Sequence, residues 1–101
     1  MTYHLYRSTN RSKKYMVEFI NPISNRLKTI HFGAAGYTDF LISKDTQKKE
    51  NYIARHRHDN SNNPNYAGFY ALHLLWNKPT LRASIADTNH RYRIKIINHT
   101  K

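Results

Sequence analysis

The segments KYMVEFI, residues 14–20, and RLKTIHF, residues 26–32, decide the fold. Both are rich in β-branched and aromatic residues, and NPISN at residues 21–25 supplies turn-forming residues between them. Two such runs joined by a short polar turn are typical of a β-hairpin. Polar and apolar residues alternate imperfectly in the second run, so the pattern leaves its buried face open.

Two further strands are predicted at the ends of the chain. Residues 3–7 alternate weakly and predict a short edge strand. Residues 91–97, RYRIKII, alternate strictly, which places Arg91, Arg93 and Lys95 on one side of a strand. The apolar side chains of this segment then form the opposite, inner face. We expect both strands to join the hairpin in an antiparallel sheet.

Helices are predicted between the hairpin and the C-terminal strand. Residues 46–58 form a polar helix capped within Ser43–Asp45, and residues 66–76 form an apolar, buried one. Pro79 then begins a third helix that reaches about Thr88. The chain is therefore predicted to be a single basic α+β domain, residues 1–101, in which a small antiparallel sheet packs against two or three helices.

The composition favours a folded, strongly basic domain. The chain has 101 residues, of which 39% are hydrophobic and 13% aromatic, and this is enough for a modest core. Seventeen Lys and Arg against six Asp and Glu give a formal net charge of +11. The absence of cysteine excludes disulfides, thiolate metal sites and thiol nucleophiles.

Targeting signals are not evident in the sequence. No apolar run approaches the ~20 residues that a transmembrane helix needs. The N-terminal residues 1–6 lack the basic and then apolar order of a signal peptide. We therefore expect a soluble intracellular protein that is not secreted and has no transmembrane segment.

Positive charge is spread over several segments, either as a surface for polyanions or as a solubilising coat. The interleaved tyrosines favour the polyanion surface. On a helical period Lys44, Lys48, Tyr52 and Arg55 share one face of the predicted helix, although this face would also fit solvent exposure. The candidate nucleic-acid-binding residues are Lys44, Lys48, Lys49, Tyr52, Arg55, Arg91, Arg93 and Lys95.

The relative position of the two basic stripes separates two functions. One stripe lies on the predicted helix at residues 46–58, and the other lies on the predicted C-terminal strand. If both lie on one surface, binding to DNA is favoured. If they lie on opposite sides, a role in protein contacts is favoured.

Catalytic groups do not converge in the sequence. The six acids are scattered singly, without the pairs that acid and base catalysis would need. His56, His58 and Asp59 suggest a metal, but helical residues two apart point about 200° away from each other. A ββα-metal nuclease built from His56, Asn77 and His90 would need an element order that the predicted elements lack. We predict a protein that is not an enzyme and has no metal or other cofactor.

The segment Gly33-Ala34-Ala35-Gly36 predicts a special backbone path. Two glycines three residues apart suggest positive φ angles or a close approach to another part of the chain. A phosphate-binding glycine loop would need a helix N-terminus directly after it, and residues 37–42 do not resemble one. We therefore predict a tight turn.

Several blocks carry a resemblance to a known family. They include HFGAAGYTDF at residues 31–40, YIARH at 52–56 and LLWNKPTL at 74–81. In these blocks the sequence resembles a family of small basic proteins of unknown function from nucleocytoplasmic large DNA viruses. The resemblance covers roughly residues 13–92, and it implies a viral setting with a virion-associated role.

We therefore expect a non-catalytic, largely sequence-independent nucleic-acid-binding protein of a large DNA virus, located in the virion or viral factory. Genome packaging in the virion is the role that it would serve. The alternative is a minor capsid or inner-layer cement protein acting through protein contacts, and a third possibility is a metal-dependent nuclease. The expected partners are nucleic acid, with duplex DNA favoured, or viral structural proteins. About five phosphate contacts on duplex DNA would give a salt slope of about −4.5 in log K.

Overall fold

The computed structural model describes residues 1–56 and 62–100. One sheet contains four strands, in the order β3-β2-β1-β4. The strands are β1 (Thr2–Arg7), β2 (Lys13–Ile20), β3 (Leu27–Ala34) and β4 (Lys95–Asn98).

The hairpin formed by β2 and β3 confirms the prediction. The strands are antiparallel, with Tyr15 opposite Phe32 and Val17 opposite Ile30. Ile30 and Phe32 are buried, whereas Leu27 on β3 is exposed. The even-numbered apolar residues of β3 therefore face the core, which the sequence pattern alone left open.

Two expectations about the ends of the chain are wrong. β1 is not an edge strand, because it pairs with β2 on one side and with β4 on the other. β4 runs parallel to β1, with Tyr3 opposite Ile96, so the sheet is mixed and not wholly antiparallel. The helical connection between β3 and β4 is long enough to allow a parallel arrangement, which a tight hairpin does not.

The three predicted helices form in the predicted order with different boundaries. Residues 37–42 are not predicted to begin a helix, but a fourth, short helix starts at Phe40 with Asp39 as its N-cap. The helices are α1 (Phe40–Ser43), α2 (Thr46–His56), α3 (Ala67–Tyr70) and α4 (Leu81–Tyr92), and α3 continues into a π-helical segment, Ala71–Leu75. Within residues 1–56 and 62–100, every helix is too short or too polar to span a bilayer.

The start of α4 differs from the prediction by two residues. Thr80 is its N-cap, and its side-chain Oγ1 accepts a hydrogen bond from the backbone N–H of Ala83 at 3.2 Å. Pro79 therefore lies before the cap and is not the first helical residue. A threonine that accepts this bond satisfies one of the unpaired N–H groups of the first turn, so the cap determines where α4 begins.

Aromatic side chains join the sheet to the helices. The Tyr3 ring lies 4.8 Å from that of Phe19, and the Phe32 ring lies 5.6 Å from that of Tyr70. Tyr70 is fully buried, and its hydroxyl donates a hydrogen bond to the Pro64 carbonyl at 2.7 Å. The helices thus cover one face of the sheet, and the predicted α+β fold is confirmed.

Candidate nucleic-acid interface

Helix α2 is attached to the rest of the molecule by few contacts. The Asp45 carboxylate accepts hydrogen bonds from the backbone N–H groups of Gln47 and Lys48, as expected for a cap. No residue of α2 is fully buried. The Tyr52 ring stacks on that of Trp76, with 4.6 Å between centroids and 7° between planes. Most of α2 is therefore exposed to solvent, and the stacking of Tyr52 on Trp76 holds the helix to the core.

The π-helical segment places Trp76 at the surface end of the core. Trp76 follows the segment directly, and its backbone N–H donates to the Leu72 carbonyl at 3.3 Å. The residue retains 9% exposure. Three surface depressions meet at its side chain. Short π-helical turns of this kind are frequent at functional sites.

A cavity of about 330 Å³ lies beside Trp76, between α2 and the end of the hairpin. Its apolar wall includes Ala71 and Leu75 of the π-helical segment. Its polar and aromatic lining includes Tyr37, Arg55 and His56. The cavity therefore combines an apolar interior with a cation and an exposed ring.

Both glycines of the Gly33–Gly36 segment need their conformational freedom. Gly33 has φ +77°, and a Cβ there would lie 2.7 Å from Leu75 Cδ1. Gly36 has φ +85° and lies in a turn in which the Tyr37 N–H donates to the Ala34 carbonyl at 3.3 Å. The positive φ angles and the close approach agree with the prediction, but the turn begins only at Ala34, because Gly33 and Ala34 still belong to β3. The turn brings Tyr37 to the cavity.

A largely buried ion pair joins the N-cap of α1 to β2. Lys14 Nζ lies 2.6 Å from Asp39 Oδ2, and Asp39 is 2% exposed. Asp39 also caps α1, because its Oδ1 accepts the backbone N–H of Ile42 at 3.1 Å. Both ionic side chains line the cavity. The two residues are 25 positions apart, so no local pattern in the sequence signals this pair.

Four of the predicted cations lie around Trp76. Lys48 and Arg55 line one depression with Trp76, of about 230 Å³, and Lys49 and Arg91 line another, of about 200 Å³. We call Lys48, Lys49, Arg55 and Arg91 the Trp76 basic surface. In residues 1–56 and 62–100 the ion pairs are Lys14–Asp39 and Arg91–Asp87, so the three cations of α2 have no acidic partner in that part of the chain.

Two predicted residues of the helical stripe have other roles. Lys44 lies before α2 with φ +52°, and its Nζ donates to the Leu41 carbonyl at 2.8 Å. The Tyr52 ring contacts both Trp76 and His56, at 4.6 and 4.0 Å between centroids. Tyr52 therefore attaches α2 to the core, and its ring faces are engaged within the protein.

The predicted C-terminal basic strand is wrong in its extent. α4 continues through Tyr92, Arg93 has φ +53° at its C-cap, and β4 begins only at Lys95. Arg91 stays helical because its Nε donates to Asp87 Oδ2 at 2.8 Å, one turn earlier. Arg91 is therefore helical, Arg93 is left-handed and Lys95 is extended, so the three residues do not share one face of a strand.

The second basic stripe therefore does not form. Arg91 lies beside Lys49 in the Trp76 basic surface, whereas Lys95 lies on β4, at the opposite edge of the sheet from β3. Three strand spacings separate these edges, roughly 14 Å. Neither Arg93 nor Lys95 lines a depression that meets at Trp76.

Arg91 also belongs to a structural hydrogen-bond network. Its Nη2 donates to Nδ1 of His73 at 3.0 Å, and His73 is 6% exposed. His73 Nε2 lies 3.1 Å from the Tyr92 hydroxyl, so both ring nitrogens of His73 have a polar neighbour. The pKa of Asp87 is lowered by a hydrogen bond from Asn77 and then by Arg91.

The residues considered for a metal site have different positions. No group of three or more His, Cys, Asp or Glu within residues 1–56 and 62–100 is placed to hold a metal ion. His58 and Asp59 lie outside the described residues. His56 Nδ1–H donates to the Tyr52 carbonyl at 2.9 Å, and Asn77 Nδ2 donates to Asp87.

Comparisons with known proteins give one match. Comparison with curated proteins finds none, and comparison with solved structures finds none. Comparison with protein families matches residues 3–56 to a family of unknown function, DUF5754. The matched range extends from β1 to the end of α2, and Trp76 and Arg91 lie beyond it. Because it spans more than half of the chain, the protein belongs to DUF5754, a family whose function is unknown.

Proposed function

We propose that the protein binds nucleic acid at the Trp76 basic surface, through phosphate contacts that are largely independent of sequence. One observation carries the proposal. Lys48, Lys49 and Arg55 converge on the depressions around Trp76, with no acidic partner in the described part of the chain. Cations of this kind neutralise phosphates and release the counterions condensed on nucleic acid.

The local environment supports phosphate as the ligand. The net charge of +11 attracts polyanions over a longer range than the contacts themselves. Phosphate contacts position a protein on the polymer without reading its sequence. Three or four such contacts on duplex DNA give a slope of log K against log salt of about −2.7 to −3.6. This slope is less negative than the value of about −4.5 that five phosphate contacts would give.

A viral setting completes the proposal. The segments HFGAAGYTDF and LLWNKPTL support it through their resemblance to small basic proteins of large DNA viruses. In that setting a non-catalytic, phosphate-binding protein serves genome packaging in the virion. The basic surface supplies the binding energy for this role, and the viral factory is where binding would begin.

Charge reversal tests the proposed surface. Lys48→Glu weakens binding of labelled DNA, measured by fluorescence anisotropy at fixed salt, because a phosphate contact is replaced by repulsion. Arg26→Glu is the matched control, because it changes the net charge equally at the hairpin turn, before β3. The eight residues of β3 separate that turn from the cavity end by roughly 24 Å. Equal losses in both variants contradict the proposal.

A second candidate function is a structural role through protein contacts, as in a minor capsid or inner-layer protein. Met1, Ile20 and Leu27 line a depression of about 490 Å³ and are 52%, 51% and 61% exposed. An exposed apolar patch favours protein association. If this role holds, wild-type protein self-associates in sedimentation velocity runs and Leu27→Lys stays monomeric. A wild-type monomer at every concentration contradicts self-association through this patch.

A further inference from the structure

We infer that the cavity beside Trp76 receives an unpaired base, so that the protein prefers single-stranded nucleic acid to a duplex. This inference rests on the proposed function, and it specifies that the preferred nucleic acid is single-stranded. It departs from the duplex preference that composition alone favours.

Tyr37 provides an aromatic surface at the cavity. Its side chain is 73% exposed, although the turn at Gly36 holds its backbone in place. Tyr52, His56 and Trp76 also line the cavity, and the Tyr52 ring stacks on the rings of the other two. An exposed tyrosine beside an apolar cavity offers a base a face for stacking, and every base has a face that can accept it.

The cavity interior fits a base better than a phosphate. Ala71 and Leu75 form an apolar wall, and Lys14 is paired with the Asp39 carboxylate. An apolar interior does not compensate the desolvation of a charged phosphodiester, whereas it favours burial of a flat aromatic ring. The lining therefore favours binding of the uncharged base over binding of the phosphate.

The cations lie where the adjoining phosphate would be. Tyr37, Arg55 and Trp76 line both the cavity and the adjacent depression, and Lys48 lines the latter. A nucleotide with its base in the cavity therefore places its phosphates beside Arg55 and Lys48. Bases of a duplex are stacked and paired, so entry of a base would first require its extrusion at a cost of a few kcal/mol.

The experiment compares three ligands of equal length: an oligothymidylate, a DNA duplex and an abasic deoxyribose-phosphate oligomer. Affinities are measured by fluorescence anisotropy for the wild-type chain, Tyr37→Ala and Ala34→Leu. Ala34 is an exposed residue of the cavity lining, and a leucine there fills the cavity while Tyr37 remains. Tyr66→Ala is the control, because Tyr66 is 49% exposed and does not line the cavity.

The wild-type chain is expected to bind oligothymidylate more tightly than either other ligand. Tyr37→Ala weakens oligothymidylate binding by roughly 5- to 150-fold, which corresponds to the loss of one stacked base. Ala34→Leu weakens the same ligand, whereas Tyr66→Ala leaves it unchanged. Duplex affinity changes by less than about twofold in these variants because the phosphate contacts remain. Circular dichroism of each variant confirms that the fold is retained.

Two results separate this inference from the proposed function. Equal affinity for all three ligands, or tighter binding of the duplex, overturns the base site and leaves the phosphate-binding surface in place. Equal losses for oligothymidylate and duplex in Tyr37→Ala also overturn the base site. No salt-dependent binding of any ligand overturns both.

Discussion

Two segments of the chain, residues 44–55 and residues 91–95, are both rich in positive charge, but they fold differently. From Thr46 onward the first forms one continuous helix, so Lys48, Lys49 and Arg55 remain close to Trp76, whereas Lys44 lies before that helix in a left-handed conformation. The second is divided among the end of α4, a left-handed residue and the start of β4. The helix keeps three cations of the first segment on one surface, whereas of the second segment only Arg91 reaches that surface.

The two segments also differ in what holds their cations. α2 is attached through the Tyr52 ring on Trp76, and Lys48 and Arg55 remain exposed, whereas Lys49 is partly buried with its Nζ 5.2 Å from the centre of the Phe40 ring. Arg91, in contrast, donates hydrogen bonds to both Asp87 and His73. Because an aromatic contact holds α2, its exposed cations remain available to a ligand. The Arg91 guanidinium, in contrast, is itself part of the contacts that hold α4.

Trp76→Ala is expected to have the largest effect, because it removes the anchor of α2. The loss of a buried aromatic side chain lowers the free energy of unfolding by ~3 to 5 kcal/mol. Urea denaturation measures the change, and Trp76→Phe, which keeps an aromatic ring for Tyr52, is expected to lose less. A loss below about 1 kcal/mol in Trp76→Ala would mean that α2 is held by other contacts.

Arg91→Ala tests whether the cation of the second segment is structural. The variant removes the hydrogen bonds that Arg91 donates to His73 Nδ1 and Asp87 Oδ2, so the free energy of unfolding falls by about 1 to 2 kcal/mol. Lys48→Ala in the first segment changes it by less than about 0.5 kcal/mol, since that side chain is exposed. Urea denaturation of both variants compares the segments directly. Similar losses of unfolding free energy in the two variants would contradict a structural role that is specific to Arg91.

Arg93→Gly tests the left-handed residue that divides the second segment. Arg93 has φ +53°, a conformation that costs about 1 kcal/mol for a residue with a Cβ. Glycine removes that cost, so thermal denaturation is expected to show equal or higher stability. DNA affinity stays close to that of an Arg93→Ala variant. A marked fall in stability would show that the arginine side chain supports the end of α4.

Asp87 gives the smallest expected effect, confined to acid conditions. Its folded pKa is below the ordinary value, first because of the Asn77 hydrogen bond and then because of Arg91. A carboxyl with a lowered folded pKa stabilises the fold above its unfolded pKa of about 4, and this contribution is lost as the pH falls through the folded pKa. Urea denaturation from about pH 5 to pH 2 should therefore show a smaller decline in Asp87→Asn. An identical decline in both proteins would contradict the shift.

Local patterns were sufficient for part of the fold. The hairpin follows from β-forming residues around a polar turn, and the buried helix follows from the apolar run that ends at Trp76. The cap at Asp45 and the positive φ angles of Gly33 and Gly36 follow from the residue types. Each of these features depends on interactions between residues that are close in sequence.

The remaining features depend on distant contacts. The strict alternation of residues 91–97 fits a strand, but Asp87 and His73 bind Arg91 and keep that part of the segment helical. The Asn89 side chain accepts the backbone N–H of Ile96 at 2.9 Å, which joins the end of α4 to β4. The cavity combines β2, β3, α2 and the π-helical segment, so no single stretch of sequence could indicate it.

The salt dependence of DNA binding in Arg55→Glu and Lys95→Glu tests the central claim most directly. Both variants change the net charge equally, and they alter the first and the second basic segment respectively. If the Trp76 basic surface binds phosphate, Arg55→Glu makes the slope of log K against log salt less negative by about 0.9, and Lys95→Glu leaves it unchanged. Equal changes in the two slopes would contradict the assignment, because binding would then follow net charge and not the surface that the fold assembles.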